Sequence, residues 1–316
     1  MPDISVIIPI FNEEESLPEL CTWIDRVMAQ NNFSYETILV DDGSTDKTWK
    51  VIEQLSAKNN NIRGFRLKKN YGKSAALNTG FDYSKGNVVI TMDGDLQDSP
   101  DEIPGLVKMI RDDGYDLISG WKKTRHDPLS KTIPSKLFNL TTGIMSGVKL
   151  HDFNCGLKAY RSDVIKNIEV SGEMHRYIPV LAKWAGFTRI GEKVVQHSRR
   201  KYGVTKFGIE RFVNGFLDFL SVAFITRYMK KPMHFFGTLG IVSFGTGSVI
   251  GLYLTIMKFF YNTPLTNRPM LFLVVLLILL GIQLLFIGLL AELISRASPE
   301  RNKYLVEKIT GNDGQN

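Results

Sequence analysis

The sequence predicts an α/β domain built on a mostly parallel sheet, followed by an amphipathic helix and a two-helix transmembrane hairpin. Over residues 1–206, short apolar segments alternate with amphipathic helical segments. Acidic clusters follow three of the apolar segments, and two long apolar segments lie near the C-terminus. The chain of 316 residues is therefore long enough for one sizeable soluble domain and a separate membrane part.

The predicted strands are short, rich in apolar residues and bounded by turn residues. Residues 4–10 form an almost unbroken apolar run, which is typical of a parallel strand buried on both faces. The predicted strands cover residues 4–10, 36–40, 62–67, 87–92 and 115–119.

The segments between these strands have helical patterns, at about 16–30, 46–58 and 73–84, with a further helix from Ser99. Ser16 with Glu19, and Ser99 with Glu102, have the spacing of a capping box. Such an alternation with short connections favours a parallel sheet with helices on both faces. Ligands of these sheets bind at the carboxyl ends of the strands, where the acidic clusters lie.

Residues 207–231 are predicted to form an amphipathic juxtamembrane helix. Polar residues recur there every three to four positions among Phe, Leu, Ile and Val residues. We expect this helix to lie in the membrane interface. The alternative is a core helix of the soluble domain.

Residues 232–257 and 269–291 contain no Asp, Glu, Lys or Arg, and each is long enough to span a bilayer, which takes about 20 apolar residues. The short connector predicts a hairpin within residues 232–296, and Gly247 and Gly251 form a GxxxG pattern. Basic residues flank its outer ends, which predicts that the α/β domain, both termini and the tail (297–316) lie in the cytoplasm. These residues are Arg227, Lys230, Lys231, Arg296, Arg301 and Lys303. We thus expect a multi-pass protein of the cytoplasmic (inner) membrane.

The formal net charge is +7, and the basic residues cluster near 122–136, 199–206 and 227–231. This distribution favours a lipid bilayer and phosphorylated substrates as partners rather than nucleic acid. Cys21 and Cys155 are far apart, which argues against a disulfide framework or a zinc site. We expect both to be buried or site-lining thiols.

The acidic loop Asp93-Gly94-Asp95-Leu96-Gln97 follows a predicted buried strand. Two carboxylates at this spacing can share a divalent cation that bridges a diphosphate, and Gln97 adds a neutral oxygen ligand. Mg²⁺ or Mn²⁺ held there would stabilise charge on a departing nucleotide diphosphate. Asp42, in the loop after the second strand, is suited to accept hydrogen bonds from a base or ribose, and the same loop is also a turn before a helix.

Four segments in order resemble the motif set of glycosyltransferase family 2. They are Pro9–Glu13, Asp41–Asp46, Asn70–Lys73 and Asp93–Asp98. The resemblance covers roughly residues 4–206 and implies a GT-A fold. It is closest to the branch of dolichyl-phosphate mannosyltransferases and bacterial polyprenyl-phosphate glycosyltransferases, some of which carry a C-terminal membrane hairpin.

The resemblance also implies roles for individual residues. The nucleotide-sugar site would comprise Pro9, Phe11, Glu13, Val40, Asp42, Asp93, Gly94, Asp95, Gln97, Lys122, Arg200 and Lys206. Asp93, Asp95 and Gln97 would hold the metal. Asp152, in a segment similar to the family's acceptor side, and Asp95 would be the catalytic residues. Lys122 and His151 stand where the mannosyltransferases carry arginines and would contact the acceptor phosphate.

The predicted reaction is a metal-dependent, inverting transfer of a sugar from a nucleotide diphosphate to a polyprenyl phosphate. Because the acceptor is already anionic, Asp152 orients it or acts as a base only for a monoprotonated phosphate. UDP-glucose and GDP-mannose are the first donor candidates, and the resemblance suggests a homo-oligomer. The alternatives are a membrane glycosyltransferase with another acceptor, whether polysaccharide or lipid, and a non-catalytic nucleotide-sugar-binding scaffold.

Overall fold

A computed structural model describes residues 2–123, 139, 142–144, 146–170, 172, 174–198, 201, 232–261 and 269–297. The chain divides into two compact units, Met1–Leu220 and Ser221–Asn316. The predicted amphipathic helix at 207–231 lies outside the described residues, as do Arg200 and Lys206.

The first unit contains a seven-stranded sheet with the order β3-β2-β1-β4-β6-β5-β7. The strands are β1 (Ile4–Ile10), β2 (Tyr35–Asp41), β3 (Ile62–Arg66), β4 (Val88–Thr91), β5 (Leu117–Trp121), β6 (Lys158–Arg161) and β7 (Ile190–Val194). The helices are α1 (Leu17–Gln30), α2 (Thr48–Lys58), α3 (Lys73–Tyr83), α4 (Ile103–Arg111), α5 (Ser162–Lys166) and α6 (Ile178–Trp184), with 3₁₀ turns at Pro100–Glu102 and Met174–Tyr177.

The mostly parallel α/β sheet and its five predicted strands are confirmed, with strand ends shifted by one or two residues. The predicted capping boxes are wrong, because neither Ser16 nor Ser99 makes a side-chain cap hydrogen bond. The Ser16 hydroxyl instead donates to the carbonyl of Glu13 at 3.2 Å. Each of these helices begins with a proline in its first turn, which needs no amide partner there.

The direction of the strands decides which loops meet. β1 is parallel to β2 and β4, whereas β6 runs antiparallel to β4 and β5. The loops after β1, β2, β4 and β5 therefore share one edge with the residues that precede β6. The segment from Cys155 to Lys158 thus reaches the same edge as Asp93.

Two apolar layers cover the faces of the sheet. One packs Ile8, Ile90 and Ala159 against helices α1 and α4, and the other packs Ile7, Val89 and Tyr160 against α3. Apart from the half-buried Pro9, the residues of β1 and β4 are buried, as their largely apolar sequence predicts. The two layers fix the strand ends that carry the polar loops.

The second unit contains α7 (Pro232–Tyr261) and α8 (Pro269–Ala297), which run antiparallel. A Cβ atom at Gly240 would lie 2.8 Å from the carbonyl oxygen of Gly281, and one at Gly247 would lie 3.0 Å from the side chain of Ile278. The Ser243 hydroxyl donates to the Leu277 carbonyl at 2.8 Å. Small residues therefore let the two helices approach closely, and Gly247 of the GxxxG pattern lies in this contact.

Both helices are long and apolar enough to cross a membrane. Most of their large apolar side chains are exposed, including Phe260 at 81% and Phe272 at 79%. A helix of a soluble core would bury these side chains. The two-helix hairpin predicted from the sequence is confirmed, and both of its helices are candidates for membrane spans.

Candidate active site

Asp93 lies at the centre of the strand-end edge, two residues after β4. Its carboxylate forms an ion pair with Lys73, the first residue of α3. A Cβ atom at Gly156 would lie 2.7 Å from Oδ1 of Asp93, so a larger residue there would force this carboxylate to shift. The loop after β4 and the segment before β6 are thus in direct contact.

Three lysines set the charge state of Asp93. Burial alone would raise the pKa of this carboxyl, but the cations of Lys73, Lys122 and Lys158 outweigh burial and hold the pKa well below its usual range. The Asp93 side chain is still 31% exposed. Asp93 is therefore an accessible, permanently ionised carboxylate.

Asp95 and Gln97 lie in the turn that follows Asp93. The Gln97 amide donates to Oδ1 of Asp95 at 3.2 Å, and the Gln97 side chain donates to the Ser198 carbonyl at 3.4 Å. Leu96 between them has a φ of 62°, a left-handed conformation that is unusual for a branched side chain. This turn places Asp95 and Gln97 half-buried at the edge, while the Leu96 side chain is buried.

Asp42 holds the loop that leads into α3. Its Oδ1 accepts a hydrogen bond from the Tyr71 amide at 2.8 Å, and its Oδ2 accepts one from the Gly72 amide at 2.9 Å. Burial raises the pKa of Asp42, and these two hydrogen bonds partly offset that effect. The carboxylate predicted to contact a nucleoside therefore already organises the backbone of a neighbouring loop.

The loops after β1 and β2 are also joined. The Asn12 amide donates to the Ser44 hydroxyl at 2.9 Å, and the Thr45 amide donates to Oδ1 of Asn12 at 2.8 Å. At Gly43, where φ is +72°, a Cβ atom would lie 2.7 Å from the Asn70 nitrogen. Contacts thus run from Asn12 through the loop at 42–44 to Lys73 and Asp93, and they link all four motifs.

The remaining residues of the predicted nucleotide pocket differ in burial. Pro9, Phe11 and Glu13 are partly exposed on or beside the end of β1. Val40 is fully buried in the apolar layer under α3, so its side chain faces the core. Gly94 is buried, and a Cβ atom there would make ordinary contacts no closer than 3.6 Å.

Lys122 forms a buried ion pair. Its ammonium lies 2.8 Å from Oδ1 of Asp98, and the two side chains are 14% and 0% exposed. Burial would lower the pKa of Lys122, but Asp98, Cys155 and Asp93 raise it above its usual range. The lysine predicted to contact phosphate is thus a permanent cation that already neutralises Asp98.

His151 is the most exposed of the predicted acceptor-side residues, with 65% of its side chain accessible. Its ring stacks on Trp121 with centroids 4.1 Å apart, and its Nδ1 contacts the Glu192 carboxylate. The His151 amide also donates to Oε2 of Glu192 at 2.8 Å. The ring is therefore held in a fixed orientation by Trp121 and Glu192.

Asp152 is buried, with 1% of its surface exposed. Its Oδ1 accepts a hydrogen bond from the Asn154 amide at 3.0 Å, and its carbonyl accepts one from the Ser119 hydroxyl at 3.2 Å. Its charge acts on both Lys158 and Cys155, which places it beside the residues that precede β6. Asp152 thus lies near the edge of the sheet that carries Asp93.

Sequence reasoning did not assign Lys73, Lys158, Trp121 or His175 to the site. Lys158 is 4% exposed at the start of β6, and its ammonium donates to the Cys155 carbonyl. Nδ1 of His175 lies 3.1 Å from the Ser74 hydroxyl, and burial together with Lys73, Arg176 and Lys158 keeps the His175 pKa well below its usual value. Lys73 and Lys158 were within the motif segments, but lysines in a sequence are usually interpreted as surface residues.

A family model named glycosyl transferase family 2 matches residues 5–169. Curated relatives align with almost the entire chain. The dodecaprenyl-phosphate galacturonate synthase of Rhizobium johnstonii is 40% identical over 99% of this chain and 94% of its own length. An undecaprenyl-phosphate 4-deoxy-4-formamido-L-arabinose transferase of Shewanella sediminis is 34% identical over 97% of this chain and 92% of its own length.

Solved structures share the fold at low identity. Glucosyl-3-phosphoglycerate synthase of Mycobacterium tuberculosis, solved with Mn²⁺, UDP-glucose and phosphoglyceric acid, has a TM-score of 0.54 and 17% identity over 70% of this chain and 80% of its own. Mannosyl-3-phosphoglycerate synthase of Rubrobacter xylanophilus has a TM-score of 0.56 and 14% identity over 71% of this chain and 74% of its own.

With its mostly parallel sheet and four linked motif loops, the chain belongs to glycosyl transferase family 2 and has the GT-A fold. Within that family, its end-to-end relatives place it in the bacterial polyprenyl-phosphate branch. The resemblance inferred from the motifs is therefore confirmed.

Proposed function

We propose that the chain transfers a sugar from a nucleotide diphosphate sugar to a polyprenyl phosphate at the cytoplasmic face of the inner membrane. The observation that carries this proposal is the unbroken series of contacts from Asn12 through Asp42 and Lys73 to Asp93. It brings all four family motifs to one edge of the sheet. The two relatives named above, which are polyprenyl-phosphate sugar transferases by name, support the acceptor class.

The donor set at this edge fits a divalent cation shared with the substrate. Within the described residues, no group of three or more His, Cys, Asp or Glu side chains could enclose a metal. The chain instead offers the carboxylates of Asp93 and Asp95 and the amide of Gln97, and Mg²⁺ is often held by one or two carboxylates plus substrate phosphates. Mg²⁺ or Mn²⁺ bound there would neutralise charge on the departing diphosphate.

The reaction we propose is one displacement at the anomeric carbon. An oxygen of the acceptor phosphate forms a bond to this carbon while the bond to the diphosphate oxygen breaks, and the nucleotide diphosphate leaves with its electron pair. The acceptor is already anionic, so positioning contributes more than proton abstraction. In this proposal Asp152, whose Oδ1 accepts a hydrogen bond from the Asn154 amide, would orient the acceptor.

Positive charge must bring two phosphate groups together. The structure assigns Lys122 to Asp98, which leaves His151 of the predicted acceptor-phosphate pair more accessible. In this proposal His151, together with Arg200 and Lys206 of the segment 200–206, would contact the phosphates. Lys122 would act indirectly, because its positive charge stabilises the ionised form of Asp93.

The domain boundaries and the membrane topology are part of this proposal. Residues 1–206 form the catalytic domain and residues 207–231 lie along the interface. The hairpin crosses the membrane and returns, so both termini are cytoplasmic, in agreement with the basic residues on its outer flanks.

Transfer of label to lipid tests the proposal. The full chain, in detergent or vesicles, is incubated with polyprenyl phosphate, Mg²⁺ or Mn²⁺ and radiolabelled donors, and lipid-extractable label is counted. The donor panel contains UDP-glucose, GDP-mannose, UDP-galacturonate and a 4-formamido-arabinose donor, since the relatives carry names with the last two sugars. We expect label from at least one donor. Its absence with every donor and metal would overturn the proposal.

Asp95→Ala provides the matched variant. We expect the loss of one metal carboxylate to reduce transfer at least about 100-fold, with no change in the thermal unfolding temperature. Undiminished turnover would remove the metal from the proposed site, and a non-catalytic scaffold would bind nucleotide sugar without any transfer.

A further inference from the structure

A glutamine lies at the middle of α8, the second helix of the hairpin. Gln283 is equally far from the two ends of the helix, Pro269 and Ala297. At a rise of 1.5 Å per residue, either end is about 21 Å away. A side chain this short cannot reach the polar ends of the span. The Gln283 amide therefore stays at the apolar centre of the helix.

The amide of Gln283 has no partner within the hairpin. Gln283 is exposed, and its side chain makes no hydrogen bond to any residue that the structure describes. Several hydroxyls of α7 do have partners. Thr246 and Thr255 donate to carbonyls of their own helix, and Ser243 donates to a carbonyl of α8. An amide without partners is costly in hydrocarbon, where water cannot replace them. Gln283 therefore requires a polar group from outside the hairpin.

Gln283 points away from α7. Gly281 and Gly288 face α7, because a Cβ atom at Gly281 would lie 2.8 Å from the Gly240 carbonyl oxygen, and one at Gly288 would lie 3.0 Å from Sδ of Met233. At about 100° per residue, Gln283 lies about 200° around the helix from Gly281. α7 therefore cannot supply the missing hydrogen bonds.

Large apolar side chains flank Gln283 on the same face of α8, at alternating spacings of three and four residues. These side chains are all exposed, and they belong to Phe272, Leu276, Leu279, Phe286, Leu290 and Leu293. With Gln283 they form the outer face of α8. Their spacing is the a/d pattern of a left-handed helix pair, in which a single polar residue at an a position fixes the register. Lipid tails compete with apolar contacts, so Gln283 gives this face its preference for another helix.

A second copy of this chain is the partner that fits this chemistry. A primary amide has an acceptor oxygen and an NH₂ donor, so two glutamines can each donate to the other. Two copies inserted with the same topology carry Gln283 at the same depth. A two-fold axis along the membrane normal would bring the same face of both copies together. A different membrane protein would need a polar side chain at that depth.

We propose that two copies of this chain associate through the outer face of α8, with the two Gln283 amides hydrogen-bonded to each other at its centre. The proposal rests on the membrane placement of the hairpin in the proposed function. It goes beyond that function, because neither the donor nor the acceptor takes part in the contact.

Association in vesicles tests the role of the amide. The full chain, carrying either a donor or an acceptor fluorophore, is reconstituted alone into phosphatidylcholine vesicles. Energy transfer is then measured over a range of protein-to-lipid ratios. Gln283→Leu removes the amide and makes the helix more apolar, so the helix still inserts. Thr246→Val is the control, because it removes an exposed hydroxyl of α7 that already donates to the Val242 carbonyl.

We expect the wild type to associate, and Gln283→Leu to raise the dissociation constant about 3- to 30-fold. Thr246→Val should associate like the wild type. A wild type that stays monomeric at the highest protein density would overturn the inference. Equal association of Gln283→Leu and the wild type would also overturn it, because the copies would then meet elsewhere.

Cysteine cross-linking identifies the face that makes the contact. Leu276→Cys places a thiol on the outer face of α8, and Val249→Cys places one on the exposed surface of α7. The two positions lie at nearly the same depth, because the neighbouring Gly251 packs on Val274 of α8. Each variant is oxidised in the same vesicles, and disulfide-linked dimer is measured on non-reducing gels.

We expect Leu276→Cys to form the dimer and Val249→Cys to form little of it. The wild type is the control for the native thiols, Cys21 and Cys155, which are buried. Equal cross-linking at both positions, or a preference for Val249→Cys, would contradict an interface on the outer face of α8.

Association is measured without donor or acceptor, which separates this inference from the proposed function. A chain that associates through Gln283 and transfers no sugar would reject the proposed function alone. A chain that transfers sugar and stays monomeric would reject this inference alone.

Discussion

The ammonium of Lys122 and the carboxylate of Asp98 form a buried ion pair, with 2.8 Å between Nζ and Oδ1. Lys122 follows β5, whereas Asp98 ends the loop after β4. Both side chains are almost inaccessible, so each charge depends on the other for compensation. The sequence predicts that Lys122 contacts a phosphate. The ion pair shows that Lys122 also stabilises the loop that contains Asp93 and Asp98.

Replacement of Lys122 tests which role dominates. Lys122→Met leaves Asp98 buried without its cation, and we expect the free energy of unfolding to fall by about 3–5 kcal/mol. The measurement is denaturant unfolding in detergent, followed by tryptophan fluorescence.

The double variant Lys122→Met with Asp98→Asn is the control for this prediction. It removes both charges, so it should recover most of the lost stability. If Lys122→Met kept full stability and lost only transfer, Lys122 would be a phosphate ligand rather than the partner of Asp98.

Asp42→Asn should loosen the loop at 70–72. An asparagine has one acceptor oxygen, so its NH₂ group would face the second backbone amide. We expect a loss of about 1–3 kcal/mol in unfolding free energy, and a higher KM for the donor with a smaller change in kcat. Asp46→Asn is a matched control in the next turn, where only one carboxylate oxygen accepts a hydrogen bond, from the Thr48 amide. A variant with wild-type stability and no donor binding would show that the Asp42 carboxylate contacts the nucleoside directly.

Gly156→Ala should displace the Asp93 carboxylate. The added methyl group would lie far inside van der Waals distance of Oδ1, at 2.7 Å. We expect Mn²⁺ affinity in the presence of nucleotide diphosphate to fall about tenfold or more, as measured by electron paramagnetic resonance. Gly245→Ala, in α7, has no heavy atom within 4 Å of the added group and should bind Mn²⁺ like the wild type. Unchanged affinity in Gly156→Ala would indicate that Asp93 does not hold the cation.

Both thiols should be inert in the folded protein. Burial is the main cause that raises the pKa of Cys21 and of Cys155 to about 12. At pH 8 the reactive thiolate is then roughly one part in 10⁴. We expect no labelling by a thiol reagent within the time that labels both residues in denaturant, and no effect of the reagent on transfer. The variant Cys21→Ser, which keeps only Cys155, shows which of the two thiols gives any residual reaction. Fast labelling of the native chain at pH 8 would contradict the burial of the thiol that reacts.

The sequence predicted the parallel part of the sheet because its strands are local apolar runs. It could not predict β6, whose four residues begin with Lys158 and end with Arg161 and contain no apolar run. β7 is likewise only partly buried and contains Glu192 and Lys193. These strands depend on pairing with distant partners, and that pairing is not visible in a local pattern.

The same limit applies to the site. Asp93, Asp95 and Gln97 were predictable because a short motif carries them. The ion pairs of Lys73 with Asp93 and of Lys122 with Asp98 join different loops, so only the folded chain shows which charges are already compensated. Lys122 was accordingly predicted as a free phosphate ligand. No local pattern marks His175 as a site residue, because its contact with Ser74 on α3 forms only in the folded chain.

The reversed direction of β6 has a consequence for how this enzyme can change. Ser119 of β5 pairs with Lys158 of β6, so the stretch between Trp121 and Lys158 leaves the sheet and rejoins it at neighbouring points on one edge. Its length is therefore uncoupled from strand register. A change in the number of residues between these two points would therefore leave the pairing of β5 with β6 in place, together with the loops after β1, β2 and β4.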